Sequence, residues 1–295
     1  MDRIVVTGGA GFVGSHLTER LVADGGRVLV VDDLSTGRAD VVPGEARLER
    51  LDVAREASAA VIVRFRPTVV YHLAAQASVP RSMEAPLRDL EVNVVGSHHV
   101  ARAARDAGAR IVFVSSGGAI YGECARSATE STRPAPASFY GVHKLAAERH
   151  VAGSGASYAI ARPSNIYGFR QAGGLEGAVV AAFLAQADSA DALTIDGDGR
   201  QTRDFIHVSD VVTALQLLGR ASSGEGIWNV SAGRSVTILE LARVVERVVG
   251  RNLGRRASPP RPGDVRHSSI RSIRLTASGW APTMPLERGV ALLAG

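Results

Sequence analysis

The chain has 295 residues, of which 45% are apolar and 21% charged, the balance of an ordinary globular protein. Its formal charge of +5 comes from arginines that are scattered and not interleaved with aromatics, which argues against a nucleic-acid partner. The single cysteine, Cys124, excludes an intrachain disulfide and fits a reducing, cytoplasmic location. No basic-then-apolar leader opens the chain, and no apolar run approaches the roughly 20 residues of a membrane span.

The first half alternates between strand and helix. "RIVVTGG" (3–9) reads as a buried strand, "GFVGSHLTERLVADGG" (11–26) as a helix closed by glycine, and "RVLVVDDL" (27–34) as a second strand. "ARLERLDV" (46–53) is a shorter, more polar strand. A helical run at 55–66 then leads to the strand "TVVYHLAA" (68–75). A long helix is predicted over 84–107, followed by the strand "RIVFVSS" (110–116), a helix carrying Tyr140 and Lys144, and the strand "YAIARP" (158–163). Apolar, β-branched strands alternating with helices predict an α/β fold: a Rossmann-type, doubly wound parallel sheet, with its ligand crevice at the strands' carboxyl ends. After Pro163 the pattern loosens, with a helix near 237–249 and an extended Pro- and Arg-rich loop at 255–264. Residues 1–163 are expected to form a dinucleotide-binding domain to which elements around 203–232 return. Residues 164–295 are expected to form a smaller, mainly substrate-binding part. No internal repeat or low-complexity tract is evident.

"VTGGAGFVG" (6–14) joins the first strand to the first helix. Gly8, Gly11 and Gly14 let the backbone turn tightly and approach a pyrophosphate, while the amides at the helix start, from Phe12 and Val13, point at it. Asp32 ends the second strand, where a carboxylate can bind both ribose hydroxyls and would repel the 2′-phosphate of NADP. The expected cofactor is therefore NAD, with Asp33 beside it.

Lys144 is the only lysine of the chain and stands four residues after Tyr140, so the two share a helix face. An ammonium at short range favours the phenolate and turns tyrosine into a base able to work near neutral pH. A compact ammonium can also hold a ribose, which the wide arginine fork would do differently. Ser115 and Ser116, at the end of the strand 110–116, are both candidates for the hydroxyl that orients a substrate oxygen, with Ser116 preferred. His72, His143 and His207 stand apart in sequence from any ligand cluster, so no metal site is expected. Cys124 has no obvious base partner and reads as an inert small residue.

"TGGAGFVG", "VDDLSTG", "SSGGAIYG" and "YGVHK" together resemble the extended short-chain dehydrogenase/reductase superfamily. Within it the chain is most similar to the NAD-dependent nucleotide-sugar epimerases and dehydratases, the UDP-glucose 4-epimerases above all. The resemblance runs along nearly the whole length. "LDV" (51–53) resembles the adenine-contacting loop and implies Asp52 and Val53. "HLAAQASVPRS" (72–82) resembles the fourth-strand cofactor loop and implies Leu73, Ala74 and Ala75. "NVVG" (93–96) implies Asn93. "RPSNIYG" (162–168) implies Asn165 as a contact to substrate phosphates. "GDGRQTRDFIHVSD" (197–210) and "RPGDVRHS" (261–268) imply Arg203, Arg261 and Asp264 as diphosphate clamps. Ser268, four residues after Asp264, falls where relatives gate room beside the sugar, and its small size implies space for an N-acetylhexosamine.

The chain also departs from that family. Many of its epimerases have a serine four residues before the position of Tyr121, where this chain has Gly117. Dehydratases carry an Asp–Glu pair after the active-site hydroxyl, and decarboxylases a glutamate; Gly117 and Gly118 leave no such acid here. The resemblance therefore implies NAD-dependent 4-epimerisation of a UDP-hexose (UDP-glucose/UDP-galactose, extending to UDP-GlcNAc/UDP-GalNAc) through a transient 4-keto sugar. The alternatives are a UDP-glucuronate 4-epimerase or another nucleotide-sugar oxidoreductase or dehydratase. A non-enzymatic dinucleotide sensor on the same fold is disfavoured by the presence of both Tyr140 and Lys144. Relatives also imply a homodimer through the 84–107 and Tyr140 helices, whose apolar residues Val94, Val95, Val100, Leu145 and Val151 belong either to that outer face or, for many of them, to the side facing the sheet.

Overall fold

The computed structural model describes residues 2–124, 126–171, 178–189, 192–260 and 265–295. In chain order it forms β1 (Arg3–Thr7), α1 (Phe12–Ala23), β2 (Arg27–Asp32), β3 (Arg47–Arg50), α2 (Glu56–Phe65), β4 (Val69–His72), α3 (Val79–Glu84) and α4 (Pro86–Leu90). A π-helical stretch at Glu91–Val95 leads into α5 (Gly96–Asp106), β5 (Arg110–Val114), α6 (Gly117–Ile120), α7 (Phe139–Ala152), β6 (Tyr158–Pro163) and β7 (Asn165–Tyr167). Then come α8 (Val179–Ser189), β8 (Ala192–Asp196), β9 (Thr202–His207), α9 (Val208–Gly219), β10 (Gly226–Val230) and β11 (Ser235–Thr237). The chain finishes with α10 (Ile238–Val249), β12 (Gly254–Ser258), β13 (His267–Ser268), α11 (Ile273–Ala277) and α12 (Leu286–Ala294).

Two compact units emerge. The first comprises Met1–Ser116, Ser138–Arg162 and Val212–Trp228. It is built on a seven-stranded sheet in the order β10-β6-β5-β4-β1-β2-β3, with β1 parallel to β2 and β4, and β5 parallel to β4 and β6. The reversal of strand order about β1 is that of a doubly wound sheet, as the alternating sequence predicts. Val5, Leu29, Val70, Ile111 and Phe113 of the strands pack with Ile62 of α2, Val100 of α5 and Val151 of α7. Each such fully buried side chain contributes roughly 1.5–3 kcal/mol. The second unit comprises Gly117–Ala137, Pro163–Val211 and Asn229–Gly295. Its small sheet centres on β9, antiparallel to β11 and parallel to β7 and β13.

Two expectations are corrected. The helix expected over 84–107 runs without a break from Pro86 to Asp106, but Glu84 belongs to the separate α3, because the residue before a proline is pushed out of the α region. Ala85 sits at φ −134°, ψ 64°, and the π stretch follows at Glu91–Val95. The loop assigned to 255–264 contains β12, which pairs in parallel with β8 from Gly254 to Ser258. Its arginines hide the strand signal, since a two-stranded edge strand can carry charge along its whole length. Val100 and Val151, for which both an outer face and the sheet side were open, are fully buried in the core under the sheet.

Candidate active site

Strand β1 ends because Gly8 takes φ 71°, a left-handed conformation that glycine adopts without strain. A methyl group on Gly8 would stand 2.6 Å from the Ala74 nitrogen, and one on Gly14 would stand 2.0 Å from the Gly8 carbonyl oxygen. Gly11 N–H donates to the Gly8 carbonyl and Gly11 is the N-cap of α1, where no side chain caps the amides of Phe12, Val13 and Gly14. An uncapped start on a 12-residue helix is a ready receptor for a diphosphate. The residues present therefore fit a dinucleotide.

Asp32, at the end of β2, accepts from the Ala10 amide at 3.0 Å and the Leu34 amide at 2.9 Å. These bonds fix the carboxylate beside the glycine loop; burial pushes its pKa up against them. Asp33 is turned to its own loop and accepts from the Ser35 amide and hydroxyl at 2.9 and 2.6 Å. Asp52 accepts from the Ala54 amide at 2.8 Å and pairs with Arg88 at 2.8 Å. Burial raises the Asp52 carboxyl, but the Arg88 and Ala54 bonds outweigh it and hold it below its ordinary value. Val53 is buried, and a methyl group on Gly96 would meet it at 2.8 Å, so that glycine lets α5 approach the 51–53 loop.

Leu73, Ala74 and Ala75 form the loop after β4. Leu73 N–H donates to the Thr7 carbonyl at 3.0 Å and Ala74 N–H to the Thr7 hydroxyl at 3.3 Å. Asn93, on the π stretch, accepts from the Gln76 amide at 3.1 Å and donates to its carbonyl at 3.0 Å. Its side chain thus serves the loop backbone. His72 lies beneath, fully buried between the Thr7 and Ser97 hydroxyls at 2.7 and 2.9 Å. Ser97 donates to the Asn93 carbonyl at 2.6 Å, so it accepts from His72 Nε2–H, and His72 Nδ1 accepts from Thr7. Burial, followed by the charge of Lys144, lowers His72 to about 3, consistent with this neutral tautomer.

Helix α7 starts at Ser138, whose hydroxyl accepts from the Gly141 amide. Tyr140 is half-buried and its amide donates to the Ser82 hydroxyl at 3.1 Å. Lys144, one turn on, is buried; its Nζ donates to the Val114 carbonyl at 2.7 Å. Burial lowers it to about 7 against the opposing carboxylates Glu148 and Asp89. Ser115 and Ser116 follow Val114 directly. The Ser115 hydroxyl is buried and without a hydrogen-bond partner among the described residues, while Ser116 is half-buried. The first unit thus brings a glycine loop, the Asp32 carboxylate, a tyrosine, a lysine amine and two serines to the carboxyl ends of its strands.

In the second unit, Asn165 pairs in register with Phe205, and Ser268 with Arg203. Register partners in a parallel pair share a face, and residues 203 and 205 share a face along β9, so Asn165, Arg203 and Ser268 fall on one side of this small sheet. Arg203 donates to the Thr202 carbonyl at 2.8 Å, Asn165 to the Asp204 carbonyl at 3.3 Å. A methyl group on Gly118 would come 3.5 Å from the Ser268 hydroxyl, so the glycine pair and Ser268 are neighbours. Arg261 and Asp264 lie outside the described residues. Asp204, on the other face, accepts from the Ser164 hydroxyl and the Ala232 and Gly233 amides at 2.9–3.1 Å, and burial raises it to about 6. Cys124 is pushed up by burial and by Glu123, away from thiolate.

Sequence reasoning missed Thr7, Gln76, Asp89, Ser97 and their links to His72 and His143. The available signal was polar residues at otherwise apolar positions, such as His72 after "VVY".

The NAD dependent epimerase/dehydratase family model matches residues 4–231. The chain is 38% identical over 301 residues to a UDP-glucose 4-epimerase of Mycolicibacterium smegmatis, spanning 98% of this chain and 96% of that protein. Its structure is similar to a UDP-glucose 4-epimerase of Thermotoga maritima crystallised with UDP-glucose: TM-score 0.93, 35% identity, 99% of this chain and 97% of that one. It is likewise similar to the UDP-glucose 4-epimerase of Thermus thermophilus in complex with NAD: TM-score 0.92, 37% identity, 99% and 97% of the two chains.

Proposed function

We propose, from the premise that this chain belongs to the NAD dependent epimerase/dehydratase family, that it epimerises a UDP-hexose at C4 with a retained NAD. The observation that carries the reading is the pairing of Tyr140 and Lys144 on one turn of α7, with Lys144 tied to the end of β5 where the two serines stand. Gly117 and Gly118 add no further acid or base at their own positions, and tyrosine, lysine and serine suffice for reversible oxidation.

NAD, when bound, accepts a hydride from the sugar and returns it. Gly8, Gly11 and Gly14 would hold its diphosphate at the start of α1, Asp32 its ribose, and Asp52 with Val53 its adenine. Lys144 would hold the second ribose and favour the phenolate of Tyr140. Tyr140 takes the proton from the sugar 4-hydroxyl as C4 is oxidised, while Ser116 or Ser115 donates a hydrogen bond to the same oxygen. The 4-keto sugar then turns about its link to the diphosphate and presents its other face. Tyr140 gives the proton back, leaving the C4 epimer. The nucleotide must stay gripped while the sugar turns. Asn165, Arg203, Arg261 and Asp264 are assigned to that grip, and small Ser268 to room for a 2-acetamido group.

The cytoplasmic location rests on the lone cysteine and the expectation of a reducing compartment. Among the described residues no helix is long and apolar enough to cross a membrane. A homodimer is supported by Met83, Leu87, Leu90, Val95, Phe139 and Val142, exposed apolar residues clustered on α3, α4, the π stretch and α7.

The test is incubation with UDP-galactose, no cofactor added, followed by proton NMR of the anomeric signals. UDP-glucose appearing without net reduction of cofactor is the expected result. No conversion even with added NAD⁺ removes the plain hexose reading, and UDP-GlcNAc and UDP-glucuronate then become the next substrates to try.

A further inference from the structure

The buried face of α7 changes character along the helix. Ala147 and Val151 anchor its far end in the core, but near Tyr140 its buried residues are Gly141, His143 and Lys144, while Phe139 and Val142 are exposed. No large apolar side chain is fully buried at the catalytic end: Leu145 is half-buried, and Phe139 stacks on the His143 ring while staying 43% exposed. Apolar packing is non-directional, whereas hydrogen bonds fix rotation and register. At this end the helix is held by directional bonds.

The central one joins His143 Nδ1 to Asp89 Oδ2 at 2.6 Å, with Asp89 fully buried. The other oxygen, Asp89 Oδ1, accepts from Gln76 Nε2 at 2.7 Å. Gln76 follows directly on the Leu73–Ala75 loop, and its backbone is clamped by Asn93. Its side chain also bonds the backbone of Ser78, at 2.8 Å to the carbonyl and 2.7 Å from the amide. One carboxylate therefore bridges the loop assigned to the cofactor and the helix that carries Tyr140 and Lys144. His143 is adjacent to Lys144 and three residues from Tyr140, so a rotation of α7 that broke the bridge would move both.

We infer that the buried Asp89–His143 pair, tied through Gln76 to the 73–76 loop, is a positioning device that sets Tyr140 and Lys144 against the bound cofactor. The inference rests on the proposed reaction for its roles, and its geometry lies entirely within the first unit. Neither residue touches reacting atoms; both act through α7. The charged groups packed around the bridge are Lys144 and, further along α7, Glu148 paired with Arg162.

The test uses the full-length, NAD-loaded protein and the variants His143→Leu, His143→Asn and Asp89→Asn. His143→Leu removes the donor; His143→Asn keeps an N–H where Nδ1 stands; Asp89→Asn keeps the shape but cannot accept from both donors. Expected is a fall in kcat of about 10–100-fold for His143→Leu with KM within about threefold and NAD retained, a pattern of lost orientation rather than lost binding. His143→Asn should recover most of the rate. The double variant His143→Leu with Asp89→Asn should be no slower than the slower single one, because the pair acts as a unit. A His143→Leu enzyme with wild-type kcat, or a loss that His143→Asn does not restore, overturns the inference. Should His143→Leu not fold, Asp89→Asn is read in its place against the same criteria.

A second readout does not depend on the substrate. The ultraviolet phenolate signal lost in Tyr140→Phe reports on Tyr140 in the NAD-loaded protein. Its pH midpoint should rise in His143→Leu and return in His143→Asn as the ammonium of Lys144 is displaced and restored. An unchanged midpoint overturns the inference. If wild-type protein turns over no UDP-hexose while the midpoint shifts as stated, the proposed substrate fails and the positioning role stands.

Discussion

Lys144 donates from Nζ to the Val114 carbonyl oxygen at 2.7 Å and stands 4.2 Å from the centre of the Phe113 ring. Both contacts come from β5, so the only lysine of the chain is pinned at the strand end that presents Ser115 and Ser116. The contacts only partly replace lost water, and burial brings its pKa down from 10.5 to about 7. A group whose folded pKa is depressed in this way binds its proton more readily in the unfolded chain. Between pH of about 7 and 10.5, the stability of the cofactor-free protein should therefore gain from this group as pH rises. Lys144→Met should lose that slope, read as urea midpoints across the window, and should also weaken NAD binding.

Tyr140→Phe removes the proposed proton acceptor and leaves the helix contact intact, because the hydrogen bond to the Ser82 hydroxyl comes from the Tyr140 backbone N–H. Turnover should fall by about 10²–10⁴-fold, the usual worth of a positioned acid–base group. Retained NAD, measured after release from the denatured protein, should match wild type. A variant with near-normal turnover would remove Tyr140 from the mechanism.

Gly8→Ala places a side chain at φ 71° and a Cβ 2.6 Å from the backbone of Ala74. The strain and the backbone contact should together cost about 1–3 kcal/mol of stability and open the loop proposed to receive the diphosphate. Differential scanning calorimetry and NAD titration should register both losses. Gly25→Ala is the control: its φ is 81°, but an added Cβ meets nothing within 4 Å, so stability alone should drop.

Asp204 is held by the Ser164 hydroxyl and the amides of Ala232 and Gly233, yet burial raises it to about 6. With its folded pKa above the unfolded 3.8, its contribution to stability declines as pH climbs from about 3.8 to about 6. Relative to Asp204→Asn, the wild type should lose on the order of 2–3 kcal/mol over that interval and then run parallel. Paired urea titrations at several pH values measure the difference directly.

Leu87 is 77% exposed, the largest value among the exposed apolar side chains of α3, α4, the π stretch and α7. If that face joins two copies, Leu87→Arg should convert the wild-type particle to a monomer in light scattering while leaving NAD content unchanged. A wild-type monomer would dismiss the homodimer.

The doubly wound sheet was legible in the order of residues, because apolar strands that are buried on both faces leave an uninterrupted β-branched record between helices. The glycine turn before α1, Asp32 at the end of β2 and the shared helix of Tyr140 and Lys144 were legible too, since each depends on spacing within one element or across one turn. Strand β12 and the break at Pro86 were obscured by exposed arginines and by a helical periodicity that continues on both sides of Ala85. The polar groups beneath the candidate site come together only on folding. Thr7, His72 and Ser97 are up to 90 residues apart in the chain and meet in one hydrogen-bonded line. Asp89 reaches His143 across 54 residues. Such pairs have no local period, so their partners become visible only when the sheet brings α4 and α7 together and burial makes every unpaired polar atom costly.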